Sequence, residues 1–368
     1  MIKEGKIGVQ EAISLIAITI SVKVYFTSPA YVARVTGTAS WYMTLISMIT
    51  SIVGFTFIYL LLKRFPAKDL VQAFELSLGR ILGFVFSIIL AVFLLVATAV
   101  LLREFAEVMK VYVLPMTPPS FIIGMFLIVT ITGCYLGLES IARASRLFAY
   151  FILTGFLTVI ILAAPNYDLH YLFPILGYGL DKTVTYGLAR SSFYGEVIIL
   201  GVIAASMQGT THIKKAGYTA LIISGLITSA ALLTTMMTFN YSTSQEITSR
   251  LYALARIIHI GGFIQRLDPF FLFTWCIGTL ISVTLSYYAA LSTYCKAFRI
   301  QDMRPVLIPS AILLFTVSML PGDLSSINDY VQVTRHYGWT VFYIMPFIAL
   351  VAAVIRKKRT DLVKRGNT

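Results

Sequence analysis

Two ionisable side chains lie deep inside long apolar stretches of this sequence, Lys23 and Glu196. A charge at bilayer depth is costly and needs a partner, water or a polar cavity, so each residue is a candidate for a functional site. The two occupy corresponding places in the two halves of the chain. An ion pair or a shared proton between them would lower the cost of both charges, and we hypothesise that they meet.

A helix-breaking proline follows Lys23. Pro29 has no backbone N–H to donate and biases Ser28 away from helical geometry, so carbonyl groups near Tyr25 lose their partners. Membrane helices also tolerate a proline kink that has no function. Lys23 lies too deep in the stretch to snorkel easily to the interface, which favours a functional break. The ammonium group could receive an anionic group of a ligand, or replace a bound sodium ion as a fixed positive charge.

A second set of poor helix formers accompanies Glu196. Gly195 adjoins it, and Ser191 and Ser192 come just before. Either a helix begins here, with the carboxylate favoured by the helix dipole, or the segment is an unwound part of a membrane helix. Only a short apolar stretch follows Glu196 before Gln208. This favours a position of Glu196 inside the membrane, below its outer interface. Paired breaks of this kind form the substrate site of many transporters.

Composition places the chain in a membrane. Hydrophobic residues make up 58% and charged residues 12%, with a mean hydropathy of +0.85, whereas soluble domains are about 25% charged. A membrane-spanning helix needs about 20 apolar residues. We predict an all-α polytopic membrane protein with ten transmembrane helices, at 11–33, 41–62, 81–103, 121–137, 147–163, 191–207, 217–239, 270–294, 306–320 and 338–355.

The ten predicted helices divide into two sets of five. We expect a single transmembrane domain over 1–368, with one repeat at 11–163, a second at 191–355 and a basic tail at 356–368. Because five is an odd number, the second set enters the membrane in the opposite orientation. That parity is typical of a 5+5 inverted repeat with broken helices 1 and 6 and a ligand site between them.

The net charge of +13 has the distribution of a membrane protein. Loops on the side of the two termini hold most of the lysines and arginines, which predicts cytoplasmic termini and a tail that contacts anionic lipid. No nucleic-acid partner is expected. The three cysteines and four histidines are scattered without metal-ligand spacing, so neither a metal nor a cofactor is expected.

Two polar stretches have weaker signals. In QEITSRLYALARIIHIGGFIQR (245–266), Leu251, Leu254 and Ile258 fall at helical spacing while Arg250 and Arg256 do not. This favours a short amphipathic helix on the outer surface, which either caps the site or lies at the interface. In LLREFAEVMK (101–110), an i, i+4 pair of Arg103 and Glu107 favours the turn where the third helix leaves the membrane.

Short motifs occur in a fixed order along nearly the whole chain: SWYMTLI (40–46), LLKRFP (61–66), LGRILG (78–83), LREFAEVMK (102–110), LPMTP (114–118), GLESIAR (137–143), FYGEVIIL (193–200), QRLDPFFLFTW (265–275) and PFIALVAAVIRKKR (346–359). With this set the chain resembles the permease-like B subunit of GerA-type spore germinant receptors, within the amino acid/polyamine/organocation transporter superfamily. The resemblance implies a LeuT-like fold in the inner membrane of a spore. It also implies an A-type membrane subunit and a C-type lipoprotein as partners, and a small nutrient such as an amino acid as ligand.

Superfamily ligands bind at the breaks of helices 1 and 6, between helices 3 and 8. Carried onto this chain, the resemblance implies a pocket of Val22, Lys23, Val24, Tyr25, Thr27, Phe93, Ala97, Phe193, Tyr194, Gly195, Glu196, Thr279 and Ser282. Relatives commonly have glycines where this chain has Val22-Lys23-Val24, and glycines let a carboxylate approach bare N–H groups. Here either Lys23 pairs with the carboxylate directly, or the ligand is of another kind, such as a sugar or inorganic ion.

Three functions are compared. The prediction is a germinant-sensing receptor subunit that acts through partners. The alternative is an autonomous proton- or cation-coupled amino acid transporter on the same fold. A membrane-embedded enzyme is disfavoured because no nucleophile, base and orienting group cluster at membrane depth.

Overall fold

The computed structural model describes residues 5–259 and 267–358, and these residues are almost entirely helical. The α-helices are α1 Val9–Ser21, α2 Ser28–Thr36, α3 Ser40–Arg64, α4 Leu70–Leu78, α5 Arg80–Tyr112, α6 Pro119–Leu136, α7 Leu138–Leu162, α8 Leu180–Ala189, α9 Ile199–Val202, α10 Thr210–Thr238, α11 Tyr241–Glu246, α12 Arg250–Arg256, α13 Asp268–Ala297, α14 Arg304–Ser318, α15 Leu324–Trp339 and α16 Met345–Ile355. The all-helical prediction is confirmed.

Seven helical segments of the described residues are long and apolar enough to cross a membrane. They are Ser28–Arg64, Arg80–Tyr112, Pro119–Leu136, Leu138–Leu162, Thr210–Thr238, Asp268–Ala297 and Leu324–Ile355. Helices α1 and α14 are apolar but shorter, with 13 and 15 residues. The exposed surface of the long helices is rich in isoleucine, leucine, valine and phenylalanine, as expected for side chains that face hydrocarbon.

Tight helical turns separate α1 from α2 and α8 from α9. Val22–Tyr25 is a 3-10 segment, and Phe26 after it has extended backbone geometry. Helix α2 then starts at Ser28, with Pro29 in its first turn, where a missing N–H costs nothing. Arg190–Ile198 is a second 3-10 segment. It packs against α1, α3 and α15, while Val22–Tyr25 packs against α12 and α13.

Helix α5 is longer than the predicted third helix at 81–103. It runs for 33 residues to Tyr112, and Arg103, Glu104 and Glu107 are buried. Arg103 and Glu107 form the expected i, i+4 ion pair at 2.8 Å. The stretch was predicted to be the turn where the third helix leaves the membrane; in the structure the helix continues to Tyr112 and packs against α13, α14 and α15.

The stretch predicted as one amphipathic helix at 245–266 contains the shorter helix α12; residues 260–266, with Gly261 and Gly262, lie outside the described residues. Leu251, Leu254 and Ile258 are buried as predicted, but Arg250 is fully buried too. The prediction that Arg250 lies off the packed face was wrong. The chain turns inward here, since the Ser249 hydroxyl donates to the Tyr25 carbonyl at 2.7 Å.

The basic tail is described only in its first residues. Arg356, Lys357 and Lys358 are exposed after the end of α16, and residues 359–368 lie outside the described ranges. The domain boundaries stay a prediction.

Candidate functional site

The ammonium group of Lys23 lies at the centre of the helical bundle. The 3-10 turn at Val22–Tyr25 directs it toward the second 3-10 segment, where it donates to the Phe193 carbonyl and to Glu196 Oε2, the latter at 2.5 Å. It also lies 4.5 Å from the centroid of the Phe193 ring. The hypothesised contact between Lys23 and Glu196 is therefore present in the structure. We call these two residues the central charge pair.

The carboxylate of Glu196 faces a second cation that the sequence did not reveal. Its Oε1 is 3.5 Å from Nη1 of Arg335 on α15, and the guanidinium lies 5.4 Å from the centroid of the Phe193 ring. The Ser192 hydroxyl donates to the Arg335 carbonyl at 2.5 Å, which ties α15 to the second 3-10 segment. Glu196 therefore lies between two positive groups.

A second buried carboxylate, Glu104 on α5, completes the group. Its Oε1 accepts the backbone N–H of Thr27 at 3.0 Å and the Thr27 hydroxyl at 2.5 Å. Thr27 immediately precedes α2, so the carboxylate lies at the positive end of that helix, where a negative charge is stabilised. Glu104 is also close enough to Lys23 and Arg335 to interact electrostatically with both.

Lys23, Glu104, Glu196 and Arg335 form a cluster with two positive and two negative groups. All four line a cavity of about 30 Å³, together with Phe93, Ala97 and Phe342 among others. We call it the central cavity. A single water needs about 10–15 Å³ of such volume, so the cavity has room for about two waters and is too small for an amino acid. Binding of a nutrient here requires its walls to move.

Phe342 is the side chain that closes the cavity against the second 3-10 segment. It belongs to a π-helical turn at Thr340–Ile344 between α15 and α16, a feature that often marks functional sites. Its ring lies edge-on to Phe93 at 5.2 Å. A Cβ on Gly195 would lie 1.7 Å from Phe342 Cδ2. Gly195 is therefore required for this close approach, which any side chain would prevent.

The other predicted pocket residues are distributed around the central cavity. Val24, Phe193 and Tyr194 line a second, smaller cavity of about 20 Å³ beside it. Val22 and Tyr25 face a larger apolar groove of about 280 Å³, lined mainly by α1, α7 and α10. Thr27 contacts the cavity only through Glu104.

Thr279 and Ser282 on α13 are buried but are not among the lining residues of any of these cavities. The Ser282 hydroxyl donates to the Thr19 carbonyl of α1 at 3.4 Å, and Thr279 Oγ1 has no partner among the described residues. In this conformation both side chains are buried in the packing of α13 against its neighbours and line none of these three cavities.

The sequence analysis missed two residues of the cluster, Glu104 and Arg335, and only Glu104 had a signal in the sequence. Phe93, Ala97 and Glu104 recur at spacings of four and seven residues, one face of a helix, so Glu104 could have been placed beside the two predicted wall residues. Arg335 lies in a polar stretch that the sequence assigned to a loop before the last span. Its position depends on α15, which is continuous with α16 through the π-helical turn.

The cluster can bind a small charged or dipolar molecule, because each of its groups could exchange an internal partner for a ligand atom. Among residues 5–259 and 267–358, no group of three or more His, Cys, Asp or Glu side chains could hold a metal ion. The charged groups that line the central cavity are an ammonium, a guanidinium and two carboxylates.

The chain is similar to curated germination proteins along most of its length. It is 24% identical over 307 residues to spore germination protein KB of Bacillus subtilis (strain 168), covering 82% of each chain. It is 23% identical over 372 residues to spore germination protein A2 of the same organism, covering 96% of this chain and 97% of the relative.

Solved structures of transporters share its fold. The protein superposes on Mhp1, a nucleobase-cation-symport-1 family transporter with bromovinylhydantoin bound, with a TM-score of 0.67 and 13% identity over 96% of this chain and 80% of Mhp1. The TM-score to MhsT in complex with L-phenylalanine is 0.58, with 14% identity over 96% and 90% of the two chains. Both neighbours have the LeuT fold, and together with the apolar helices they identify a multi-pass membrane protein with a transporter-type fold.

The family is established by a wider match. The family model for spore germination proteins matches residues 6–327, a range that includes both 3-10 segments, the central charge pair and Glu104. The chain belongs to the spore permease family of spore germination proteins.

Proposed function

We propose that this protein is the germinant-sensing subunit of a spore nutrient receptor. It binds a small nutrient, an amino acid, in the central cavity and triggers germination together with an A-type membrane subunit and a C-type lipoprotein. The observation that carries the proposal is the central charge pair. A buried ammonium and a buried carboxylate, 2.5 Å apart, join two 3-10 segments from opposite halves of a transporter-type fold.

The pair supplies a physical route from binding to a signal. A ligand shifts a conformational equilibrium only by as much as its affinity differs between the two states. An amino acid that enters the central cavity must displace Phe93 or Phe342 and compete for the charges that hold the two 3-10 segments together. The bound and free states therefore differ in how firmly the halves are joined, which partner subunits can read.

The topology proposed with this function is the predicted one: ten spans in a 5+5 inverted repeat, with α1 and α2 forming the broken first span and the second 3-10 segment with α9 the broken sixth. Two observations support it. Mhp1 and MhsT have the same fold, and α1 and α14 are apolar although short. The lysine and arginine distribution supports cytoplasmic termini, and membership of the spore germination family supports a place in the inner membrane of the spore.

The second candidate is an autonomous proton- or cation-coupled amino acid transporter. The observation in its favour is that Mhp1, a transporter with the same fold, has bromovinylhydantoin bound, and MhsT is in complex with L-phenylalanine. An enzymatic function is not proposed, because the cluster lacks a nucleophile with an adjacent base and orienting group.

Uptake by the chain alone separates the two candidates. Purified protein in proteoliposomes is given labelled amino acids under an imposed proton or sodium gradient, with the Lys23→Met variant as control. The receptor proposal predicts saturable binding that depends on Lys23 and no concentrative uptake. Concentrative uptake without partner subunits, abolished in Lys23→Met, would establish the transporter instead.

A further inference from the structure

The charge cluster contains a group whose bonding is incomplete, the guanidinium of Arg335. Its Nη1 is 3.5 Å from Glu196, longer than the 2.7–2.9 Å or so of a charge-assisted hydrogen bond. Its Nε is buried and has no hydrogen-bond partner among the described residues. A guanidinium has five N–H donors; among the described residues only the Nη1 contact to Glu196 uses one of them, and Arg335 lines the central cavity.

We propose that Arg335 receives the carboxylate of the ligand and makes the central cavity selective for small carboxylates over the corresponding amides and amines. This inference rests on the proposed function for the location of the ligand. It adds a specificity-determining residue on α15. The pocket implied by the family resemblance contained residues of the predicted helices 1, 3, 6 and 8 only.

The chain itself fills the place that a ligand's cation would take. The ammonium of Lys23 donates hydrogen bonds to the carbonyl of Phe193 and to one oxygen of Glu196. Glu196 is the residue of the second 3-10 segment that lines the central cavity. A ligand ammonium would have to displace Lys23 and would be repelled by it at short range.

The chain also fills the nearest backbone site for an anion. The start of α2 is the natural place for a ligand carboxylate at a broken helix, but Glu104 already accepts the Thr27 N–H and hydroxyl there. A second carboxylate at this position would lie against the first. Val22 and Val24 add branched side chains where a close backbone approach would be needed.

Of the two cations that line the central cavity, Arg335 has more donors without an acceptor among the described residues than Lys23, whose ammonium already donates twice. Its planar fork matches a carboxylate in two parallel hydrogen bonds, and the Phe193 ring at 5.4 Å limits its orientation. The other buried arginines nearby are engaged outside this cavity. Arg103 pairs with Glu107 at 2.8 Å, and Arg190 donates to Gln332 at 2.7 Å.

The geometry also sets the direction of a zwitterionic ligand. With its carboxylate on Arg335, an amino acid can present its ammonium to Glu104, the carboxylate that is not paired with Lys23. The ligand then lies between α15 and α5, and Lys23 supports binding indirectly because it neutralises Glu196, which would otherwise compete with the ligand carboxylate for Arg335. This orientation does not require glycines in the first break, which explains how a chain with Val22-Lys23-Val24 can still take an amino acid.

The first test compares ligand pairs on the full chain in lipid nanodiscs. Thermal stabilisation is titrated with the proteinogenic amino acids and then with the primary amide of each one that binds. We expect amides to bind the wild type about tenfold more weakly, equivalent to about 1.4 kcal/mol, and this preference to vanish in Arg335→Gln but persist in part in Arg335→Lys. An unchanged preference in Arg335→Gln would overturn the proposal.

A second measurement tests the role of Arg335 even when no amino acid binds. Absence of amino acid binding would contradict the proposed function but not the proposed role of Arg335. Modification of each arginine by butanedione is followed by mass spectrometry, with acetate, alaninamide or ethylamine present. We expect acetate to slow modification of Arg335 several-fold and the other two to leave it unchanged. Arg146, half exposed and paired with Glu11, is the internal standard. Absence of acetate protection, or no modification of Arg335 at all, would show that carboxylates do not reach this group.

Discussion

Lys23 and Glu196 are 173 residues apart in sequence, yet Nζ of the first lies 2.5 Å from Oε2 of the second. Each belongs to a 3-10 segment in a different half of the chain. Hydrophobic burial could hold the halves together without charges, and a buried pair often stabilises less than an apolar replacement. This argument supports the proposed role of the pair in ligand recognition.

The coupling between these two residues can be measured. We expect Lys23→Met to destabilise the protein by about 3 kcal/mol, because it leaves Glu196 buried with only the longer contact to Arg335. Combining it with Glu196→Gln should cost less than the sum of the single changes, by more than about 1 kcal/mol. Unfolding in detergent provides the free energies, with the exposed Lys63→Met as control. Additive single changes would mean that the pair does not interact.

The bond from Glu104 to Thr27 gives a second prediction. Glu104→Gln keeps one acceptor oxygen but removes the charge at the start of α2, so we expect a loss of about 1–2 kcal/mol. Hydrogen exchange at the Thr27 amide should become faster in the variant. Glu139→Gln, which removes an exposed ion pair with Arg143, should change stability by less than about 1 kcal/mol. Equal effects of the two substitutions would argue against the special role of Glu104.

The contact between Gly195 and Phe342 gives a third. Gly195→Ala places a methyl group 1.7 Å from Cδ2 of the Phe342 ring. Overpacking of this kind lowers the free energy of unfolding by about 1–3 kcal/mol. The loss should be largely relieved when Phe342→Ala is added. Gly124→Ala on α6, where a Cβ meets nothing within 4 Å, is the matched control and should be neutral or stabilising. A Gly195→Ala protein as stable as wild type would contradict the packing described.

Arg250 gives a prediction in the opposite direction. Its Nε, Nη1 and Nη2 have no partner among the described residues, and burial, with a contribution from Arg34, lowers the pKa of Arg250 to about 9. At neutral pH the group is charged and its burial is uncompensated, so Arg250→Met should stabilise the protein by about 1–3 kcal/mol. Arg256→Met, on the exposed face of the same helix, should have little effect.

The pH dependence follows from the same shift. Because burial lowers the pKa of Arg250 in the folded protein to about 9, the unfolded chain keeps this proton to higher pH than the folded protein does, so wild-type stability should rise as the pH rises above about 9. The advantage of Arg250→Met should shrink accordingly. Thermal unfolding at pH 7 and pH 10 measures both. An advantage that is the same at the two pH values would mean that the Arg250 charge is compensated.

The sequence revealed the central charge pair because a charge in an apolar stretch stands out against its neighbours. It revealed the aromatic residues around the pair only through the family resemblance, whereas Gly195 was predicted from its residue type as part of the second helix break. Glu104 was missed because a span of about 20 residues was assumed for a helix that has 33. Arg335 and Arg250 were missed because their burial depends on α15 and α12 folding against the bundle, contacts between distant residues that no local pattern encodes.

Saturation binding to the purified chain tests the central claim most directly. Labelled proteinogenic amino acids are titrated against wild type, Lys23→Met and the exposed control Lys63→Met. We predict that at least one amino acid binds saturably to wild type and to Lys63→Met, and at least tenfold more weakly to Lys23→Met. Wild-type affinity in Lys23→Met would contradict the assignment of the binding site to the central charge pair.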